Sequence, residues 1–358
     1  MVYKIGVIEG DGIGPEIVNG SLRVVRELEK LMGVEFFETM PLDAGLKAFE
    51  KYGATYPDVT NQRLQECDGL ILGPVSTHQY EGENMANPSA KIRKNFHLFA
   101  NIRPIRSIPK AEGKFKDVDL VIVRENTEGM YADRNMADGS SEFMPDPDTV
   151  LSMRLVTRKA SKKVAEAAFR LAQERNDKRL VSAVHKANVL KKGCGLFLEE
   201  CYKVQSQYKD ISIDDYHIDA FAMYLILHPQ KYDVIVTTNM FGDILSDEAA
   251  GLVGGLGLAP SLNQGDQFAA AQAAHGSAPS IAGQGIANPI ALLLSIQMLM
   301  NWLGNKYQDG DILHAASLLS TAVWNTLEES EIKTPDLGGN ASTEEVCDEI
   351  ISRVVQFV

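Results

Sequence analysis

The sequence predicts an α/β protein with a largely parallel or mixed sheet. Short apolar runs alternate with segments of helical periodicity along the whole chain. Polar and charged residues gather just beyond the runs, where open α/β sheets place their sites. The chain has 358 residues, 45% of them hydrophobic and 23% charged, enough for one large or two medium domains with substantial cores.

The elements follow in order. Residues 2–8 read as a strand, and 15–31 as a helix with Pro15 near its first turn. Residues 69–72 and 118–123 are short apolar strands. Residues 132–150, rich in Asp, Asn, Ser, Met and Pro, read as an irregular excursion. Then come a helix over 161–174, a strand over 179–184 and a helix over 193–204. A buried strand over 234–238 and a long apolar helix over 290–303 complete the pattern. The central part reads as a second lobe set between two halves of the first. No repeat, low-complexity tract or long linker interrupts the pattern.

Charge and composition exclude several functions. A formal net charge of −13 leaves no basic excess to neutralise a nucleic acid. No apolar run reaches the ~18 residues of a membrane span. The opening Met1-Val2-Tyr3-Lys4-Ile5 reads as a strand and not as a signal peptide. Cys67, Cys194, Cys201 and Cys347 follow no metal spacing and are expected to be reduced thiols in the cytoplasm.

The most informative stretch is 239–257, which follows the buried strand. Asp243 and Asp247 lie four apart, so a helix puts both carboxylates on one face. Hard divalent cations such as Mg²⁺ or Mn²⁺ take oxygen ligands of this kind; the other reading is a solvated acidic face. Upstream, Gly10-Asp11-Gly12-Ile13-Gly14-Pro15 fails the dinucleotide fingerprint, because its third glycine is misplaced. Asn87-Pro88 has the form of an N-cap followed by proline. Ser89 and Arg93 share the face of that helix. With Arg103 and Arg124, Arg93 makes a set of forked donors suited to a polycarboxylate. Tyr131 ends a polar loop and can exchange a proton in a closed cleft, or simply pack. Lys186 follows a strand end, where desolvation beside a metal would make it a base. Its neighbour His185 reads as a structural histidine. Asp219 lies in an apolar helical stretch as a third possible metal ligand. The loop from His275 through Gly276, Ser277 and Ala278 to Asn288 is rich in small residues, so backbone can approach a ligand closely. Asn288 offers an amide to an adenine edge.

Taken together, these segments resemble the metal-dependent β-decarboxylating dehydrogenases of the isocitrate/isopropylmalate dehydrogenase family. The resemblance spans nearly the whole chain, from Gly10–Glu16 to the Thr334-Pro335-Asp336-Leu337-Gly338-Gly339 stretch. It implies an open mixed sheet flanked by helices, in two lobes, and not a Rossmann fold. The large cofactor-side lobe would comprise 1–98 and 251–358, and the small substrate and dimerisation lobe 99–250. It implies a homodimer whose sites borrow Lys186 and Asp219 from the partner. The metal would be held by Asp219, Asp243 and Asp247, and the substrate by Asn87, Ser89, Arg93, Arg103 and Arg124. Tyr131 and Lys186 would be catalytic. Asn188, His275, Gly276, Ser277, Ala278, Ser280, Ile281 and Asn288 would contact the cofactor.

Two departures bear on specificity. NAD-using members commonly carry an aspartate where this chain has Ser280, and bacterial NADP-using isocitrate enzymes carry lysine and tyrosine at Ser280 and Ile281. Their later tyrosine and arginine align with Pro335 and Gly339. With no cation to pair a 2′-phosphate, NAD is expected over NADP. Isopropylmalate enzymes place a leucine pair where this chain has Ser89 and Ala90. Isocitrate enzymes place serine and asparagine where it has Asn87 and Ser89. The expected substrate is therefore isocitrate or a similar tricarboxylate, with isopropylmalate, homoisocitrate and tartrate or D-malate as alternatives. A non-catalytic regulatory subunit would be expected to lose catalytic or metal residues, and a two-lobed binding protein would need neither the metal acids nor the lysine. All of those residues are present.

Overall fold

Ten strands form one mixed sheet in the computed structural model, which describes residues 1–82, 84–108, 115–131 and 141–356. The first half comprises β1 (Tyr3–Ile8), α1 (Gly14–Met32), β2 (Phe37–Leu42), α2 (Leu46–Tyr52), α3 (Asp58–Leu64), β3 (Gly69–Leu72), α4 (Pro88–Asn95), β4 (Ala100–Arg106) and β5 (Asp119–Glu125). The middle comprises β6 (Glu142–Asp146), β7 (Thr149–Ser152), α5 (Arg158–Arg175), β8 (Leu180–His185), α6 (Gly193–Gln205), β9 (Ser212–His217), α7 (Ile218–Leu227), β10 (Val234–Thr237) and α8 (Asn239–Val253). The end comprises β11 (Leu262–Gln264), β12 (Ala269–Ala271), α9 (Ile290–Tyr307), α10 (Gly310–Glu329) and α11 (Thr343–Val355).

The sheet order is β2-β1-β3-β12-β11-β4-β5-β10-β8-β9. Its two flanks are parallel, and the antiparallel pairs β12–β11, β11–β4 and β4–β5 join them. The expected mixed α/β sheet is thus observed. Most elements lie within a few residues of their expected bounds. β5 runs on through Arg124 and Glu125 because those residues pair with Asn101 and Ala100 of β4. The excursion expected over 132–150 needs correction: β6 and β7 form an antiparallel hairpin, exposed along its whole length. Residues 132–140 lie outside the described residues.

Apolar faces close the layers. One core gathers β1, α1, α9, α10 and α11, around residues such as Ile5, Ile17, Leu293 and Leu319. A second packs α5 and α6 on β4, β5, β8 and β10, around Phe169 and Phe197. A third seats α7 and α8 on the sheet through Phe221, Tyr232 and Leu245. The four cysteines are buried and unbridged. No helix among the described residues is long and apolar enough to cross a membrane.

Candidate active site

β10 ends at Thr237, and α8 starts two residues later, so its first turns stand at the strand's carboxyl end. Asn239 is fully buried there. Its Oδ1 accepts bonds from Arg124 Nε at 3.0 Å and Nη2 at 2.7 Å, while its Nδ2 donates to the Glu128 carbonyl at 2.9 Å. Arg124 Nη1 meets Asp243. Gly242 makes this approach possible, because a Cβ there would sit 2.7 Å from Arg124 Cβ and Cγ. Arg103, from β4, joins the group. Its Nη2 lies 3.3 Å from Asp243, and its Nη1 lies 3.3 Å from Asp247 and 2.5 Å from Ser246 Oγ. Its Nε donates to Asn101 at 2.6 Å.

Four predicted residues therefore converge: Arg103, Arg124, Asp243 and Asp247. Both guanidinium groups are buried. Burial, reinforced by Arg124, pushes Arg103 down to about 10, against the pull of the two aspartates. Arg124 is lowered chiefly by burial. Burial also raises Asp247, and Arg103 opposes that rise. The Asp243 and Asp247 side chains remain 39% and 56% exposed, open enough for an incoming cation to reach. Two carboxylates and no soft donor suit Mg²⁺ or Mn²⁺, which keep other oxygen ligands from water or substrate. No trio of His, Cys, Asp or Glu able to hold a metal forms among the described residues. Asp219 therefore does not join Asp243 and Asp247 within one chain. It instead pairs with Lys186, Oδ1 to Nζ, at 2.5 Å, and that ammonium holds its carboxyl below the usual range.

Lys186 follows β8 on a turn shaped by its neighbour. His185 Nδ1 accepts the Ala187 N–H at 3.0 Å, so Nε2 carries the proton and donates to Asp215 at 3.0 Å. His185 is thus structural, as expected. Asn188 is exposed next to it. Glu125 shapes the following loop by accepting from Thr127 N at 2.7 Å and Glu128 N at 3.0 Å. Tyr131 lies half-buried at the loop's end, within electrostatic range of Arg124.

At α4, Asn87 Oδ1 caps the helix by accepting the Ala90 N–H at 3.2 Å, so that oxygen is committed to the backbone. Ser89 is buried and accepts from Gln272 Nε2 at 2.9 Å. Arg93 is half-buried on the same helix.

The 275–288 loop packs on the N-terminal turn. Ile13 N donates to the Ser277 carbonyl at 2.9 Å, and Ser76 Oγ donates to Ser277 Oγ at 2.7 Å. Gly12 permits this contact, since a Cβ there would lie 2.0 Å from that carbonyl. Asp11 accepts from Leu46 N, Ser76 N and Tyr80 Oη, which makes the glycine-rich turn a structural hub. Glu16 anchors the loop's far end through Ala287 N at 2.7 Å. Within the loop, Gly276, Gly283 and Gly285 face open space, Ser280 is exposed and Ile281 is half-buried beside Ala278. His275 Nε2 is buried without a partner among the described residues, and burial lowers its imidazole pKa. An orphaned ring nitrogen beside open backbone fits a cofactor with many acceptors and donors. Asn288 is more committed than expected, with Oδ1 accepting from Ile290 N and Nδ2 donating to Asp336 at 3.0 Å.

Asn239, Ser246 and Asn101 did not emerge from sequence reasoning. The signal for Asn239 lay four residues before Asp243, on the same helix face. For Asn101 it lay two before Arg103, on the same strand face.

Comparison with known proteins places these features in a family. Residues 4–351 match the isocitrate/isopropylmalate dehydrogenase family model. The chain is 44% identical to a homoisocitrate dehydrogenase of Methanocaldococcus jannaschii, over 99% of this chain and 98% of that protein. It is 42% identical to a 3-isopropylmalate dehydrogenase of Methanothermobacter thermautotrophicus, over 97% of each. An isocitrate dehydrogenase crystal structure from Methylococcus capsulatus superposes with a TM-score of 0.87 at 38% identity, covering 99% of this chain and 100% of that one. The chain therefore belongs to the isocitrate/isopropylmalate dehydrogenase family, decarboxylating dehydrogenases that act on a CH–OH group with a divalent metal and NAD(P).

Proposed function

We propose that the chain oxidatively decarboxylates a malate bearing a β-substituent that itself ends in a carboxylate, as in isocitrate or homoisocitrate. The observation that carries this reading is Ser89, held by Gln272 on the first turn of α4 with Ala90 beside it. An isopropyl group wants an apolar wall, and this pair supplies a hydroxyl and a methyl. A carboxylate gains from a hydroxyl donor near a helix N-terminus. The similarity to a homoisocitrate dehydrogenase supports the reading. The similarity to 3-isopropylmalate dehydrogenases keeps that substrate as the second reading.

The residues divide the work. A metal on Asp243 and Asp247, with the partner's aspartate equivalent to Asp219, would supply Lewis-acid polarisation at the substrate's C2 oxygen, and the nicotinamide would accept hydride. Lys186, supplied by the partner together with Asp219 in this reading, takes the C2 hydroxyl proton, directly or through water. Arg93, Arg103 and Arg124 hold the β-carboxylate until it leaves as CO₂. Tyr131 returns a proton to C3. General acid and base steps of this kind are worth about 10²–10⁴-fold each. NAD is favoured because no basic side chain stands at Ser280, Ile281, Pro335 or Gly339, and because Asp336 adds negative charge beside Asn288.

The reading includes assembly as a homodimer, and exposed apolar side chains support it. α7 and α8 expose Met223, Ile226, Leu227 and Ile244, and the β6–β7 hairpin exposes Phe143, Met144 and Leu151. Exposed apolar side chains on the packed pair α7–α8 support an interface there. In this reading the lobes are 1–98 with 251–358, and 99–250, with the cleft between them. Mg²⁺ or Mn²⁺ serves as the metal, and the cytoplasm is the expected compartment. Initial rates with isocitrate, homoisocitrate, 3-isopropylmalate, D-malate and tartrate, each with NAD and NADP, test the assignment. A tricarboxylate with NAD should give the highest kcat/KM; a clear preference for isopropylmalate overturns the substrate reading.

A further inference from the structure

A row of buried amides crosses the sheet between Arg103 and Ser89. Asn101 on β4 faces Asn263 on β11 in register, and Gln272 follows β12. Asn126 follows β5. Asn101, Asn126, Asn263 and Gln272 are all buried. Their hydrogen bonds run in one direction, and the direction is set by chemistry at both inputs.

Arg103 Nε can only donate, so the Asn101 atom 2.6 Å away is Oδ1. Asn101 Nδ2 therefore points onward, to Ser261 Oγ at 2.8 Å and Asn263 at 3.0 Å. The Asn263 atom that receives it is Oδ1. A second input agrees. The Leu98 carbonyl can only accept, so Asn126 presents Nδ2 to it, and the same Nδ2 lies 3.0 Å from Asn263 Oδ1. Asn263 Nδ2 is then left facing Gln272 Oε1 at 3.5 Å, the longest link, where the reversed amide would set donor against donor. Gln272 consequently presents Nε2 to Ser89 Oγ at 2.9 Å. Ser89 accepts this bond, and among the described residues it donates to no acceptor.

We propose that Asn101, Asn263 and Gln272 are positioning residues whose amides carry the donor polarity of Arg103 across the sheet, leaving the Ser89 hydroxyl proton free to bond a substrate carboxylate. The proposal rests on the reading that Ser89 faces the substrate's variable group. It explains how one serine discriminates. With its acceptor side occupied by Gln272, Ser89 offers the substrate a donor, which a terminal carboxylate uses and an alkyl group leaves unpaired.

Gln272→Glu reverses the last link, because a carboxylate accepts and draws the Ser89 proton to itself. Gln272→Met removes the link and leaves that proton free. The measurement is kcat/KM for homoisocitrate, isocitrate and 3-isopropylmalate, in the wild type, both Gln272 variants and Ser89→Ala, with melting curves as a check on folding. Gln272→Glu should lower kcat/KM for the preferred tricarboxylate about 10–100-fold, mostly through KM, and for isopropylmalate only about 2-fold. Gln272→Met should lose less than Gln272→Glu, and adding Ser89→Ala to Gln272→Glu should cost nothing further. Equal losses on all substrates, or equal losses in the Glu and Met variants, overturn the polarity role. A wild type that prefers isopropylmalate overturns the substrate reading and the selectivity built on it. Neutron diffraction of the deuterated protein reads the relay independently: a Ser89 deuterium aimed at Gln272 overturns it whatever the substrate.

Discussion

Asn239, Gly242 and Asp243 each contribute a different physical property to one contact. Asn239 receives two prongs of the Arg124 fork, Gly242 leaves room for its methylenes, and Asp243 balances its charge. The aspartate was legible from spacing. The other two gain meaning only when β5 lies beneath α8. Glu128, three residues before Tyr131, is the residue whose titration is most exposed to test. Burial pushes its carboxyl up to about 7 from an ordinary 4.5, although the Thr157 N–H opposes the rise. The folded protein thus holds this proton more tightly than the unfolded chain does. The resulting stabilisation is complete below pH 4.5 and is lost as pH rises through about 7. Glu128→Gln keeps the acceptor for Thr157 and removes the titration. The variant should match the parent near pH 4.5 in denaturant melts, and exceed it by roughly 1–2 kcal/mol at pH 8 once solvent screening is allowed for. Parallel stability curves across that range would show that Glu128 does not titrate there.

Two helices decide the site at the next scale. α8 begins where β10 ends, so its first three turns deliver Asp243 and Asp247 to the arginines of β4 and β5. Because α8 packs on β5 through Gly242, a single methyl at this position should tilt the helix away. Gly242→Ala is expected to cost roughly 1–3 kcal/mol of stability. It should also raise the Mn²⁺ concentration needed for half-maximal rate about 10-fold or more, a shift of the size seen when metal-supporting contacts are lost. A variant with normal metal dependence would mean that α8 reaches its place by other contacts. α4 shows the opposite balance. Its Asn-Pro start was readable as a cap, and the Asn87–Ala90 bond bears that out. The role of Ser89 was not readable in full, since its partner Gln272 is 183 residues away.

The whole molecule raises the question of how many chains make one site. Lys186 and Asp219 pair with each other, while Asp243 and Asp247 pair with Arg103 and Arg124. If each site takes Asp219 from a partner, defects in different residues should complement. Asp219→Asn and Asp243→Asn variants should each be inactive alone. After subunit exchange, about half the dimers are mixed and each holds one intact site, so about a quarter of wild-type activity should return. Mixtures that stay inactive despite verified exchange would show that Asp219 does not serve the partner's site. The antiparallel β12–β11–β4–β5 block lies between the two parallel flanks, and the buried amide row and Arg103 lie within that block.

Local pattern determined much of this protein by itself. Apolar runs and helical periodicity depend on near neighbours, so β1, α1, β3, β8 and α9 could be read directly. The same holds for residues whose chemistry is unusual at their spacing, such as Asp243 with Asp247, or Lys186 after a strand. What only the tertiary structure decided is pairing across sequence distance. The strand order, the antiparallel centre and the β6–β7 hairpin depend on which backbone meets which. So does the direction of each hydrogen bond from Arg103 to Ser89, because an amide in isolation can face either way. A guanidinium and a carbonyl, which cannot, set that direction once folding brings them against Asn101 and Asn126.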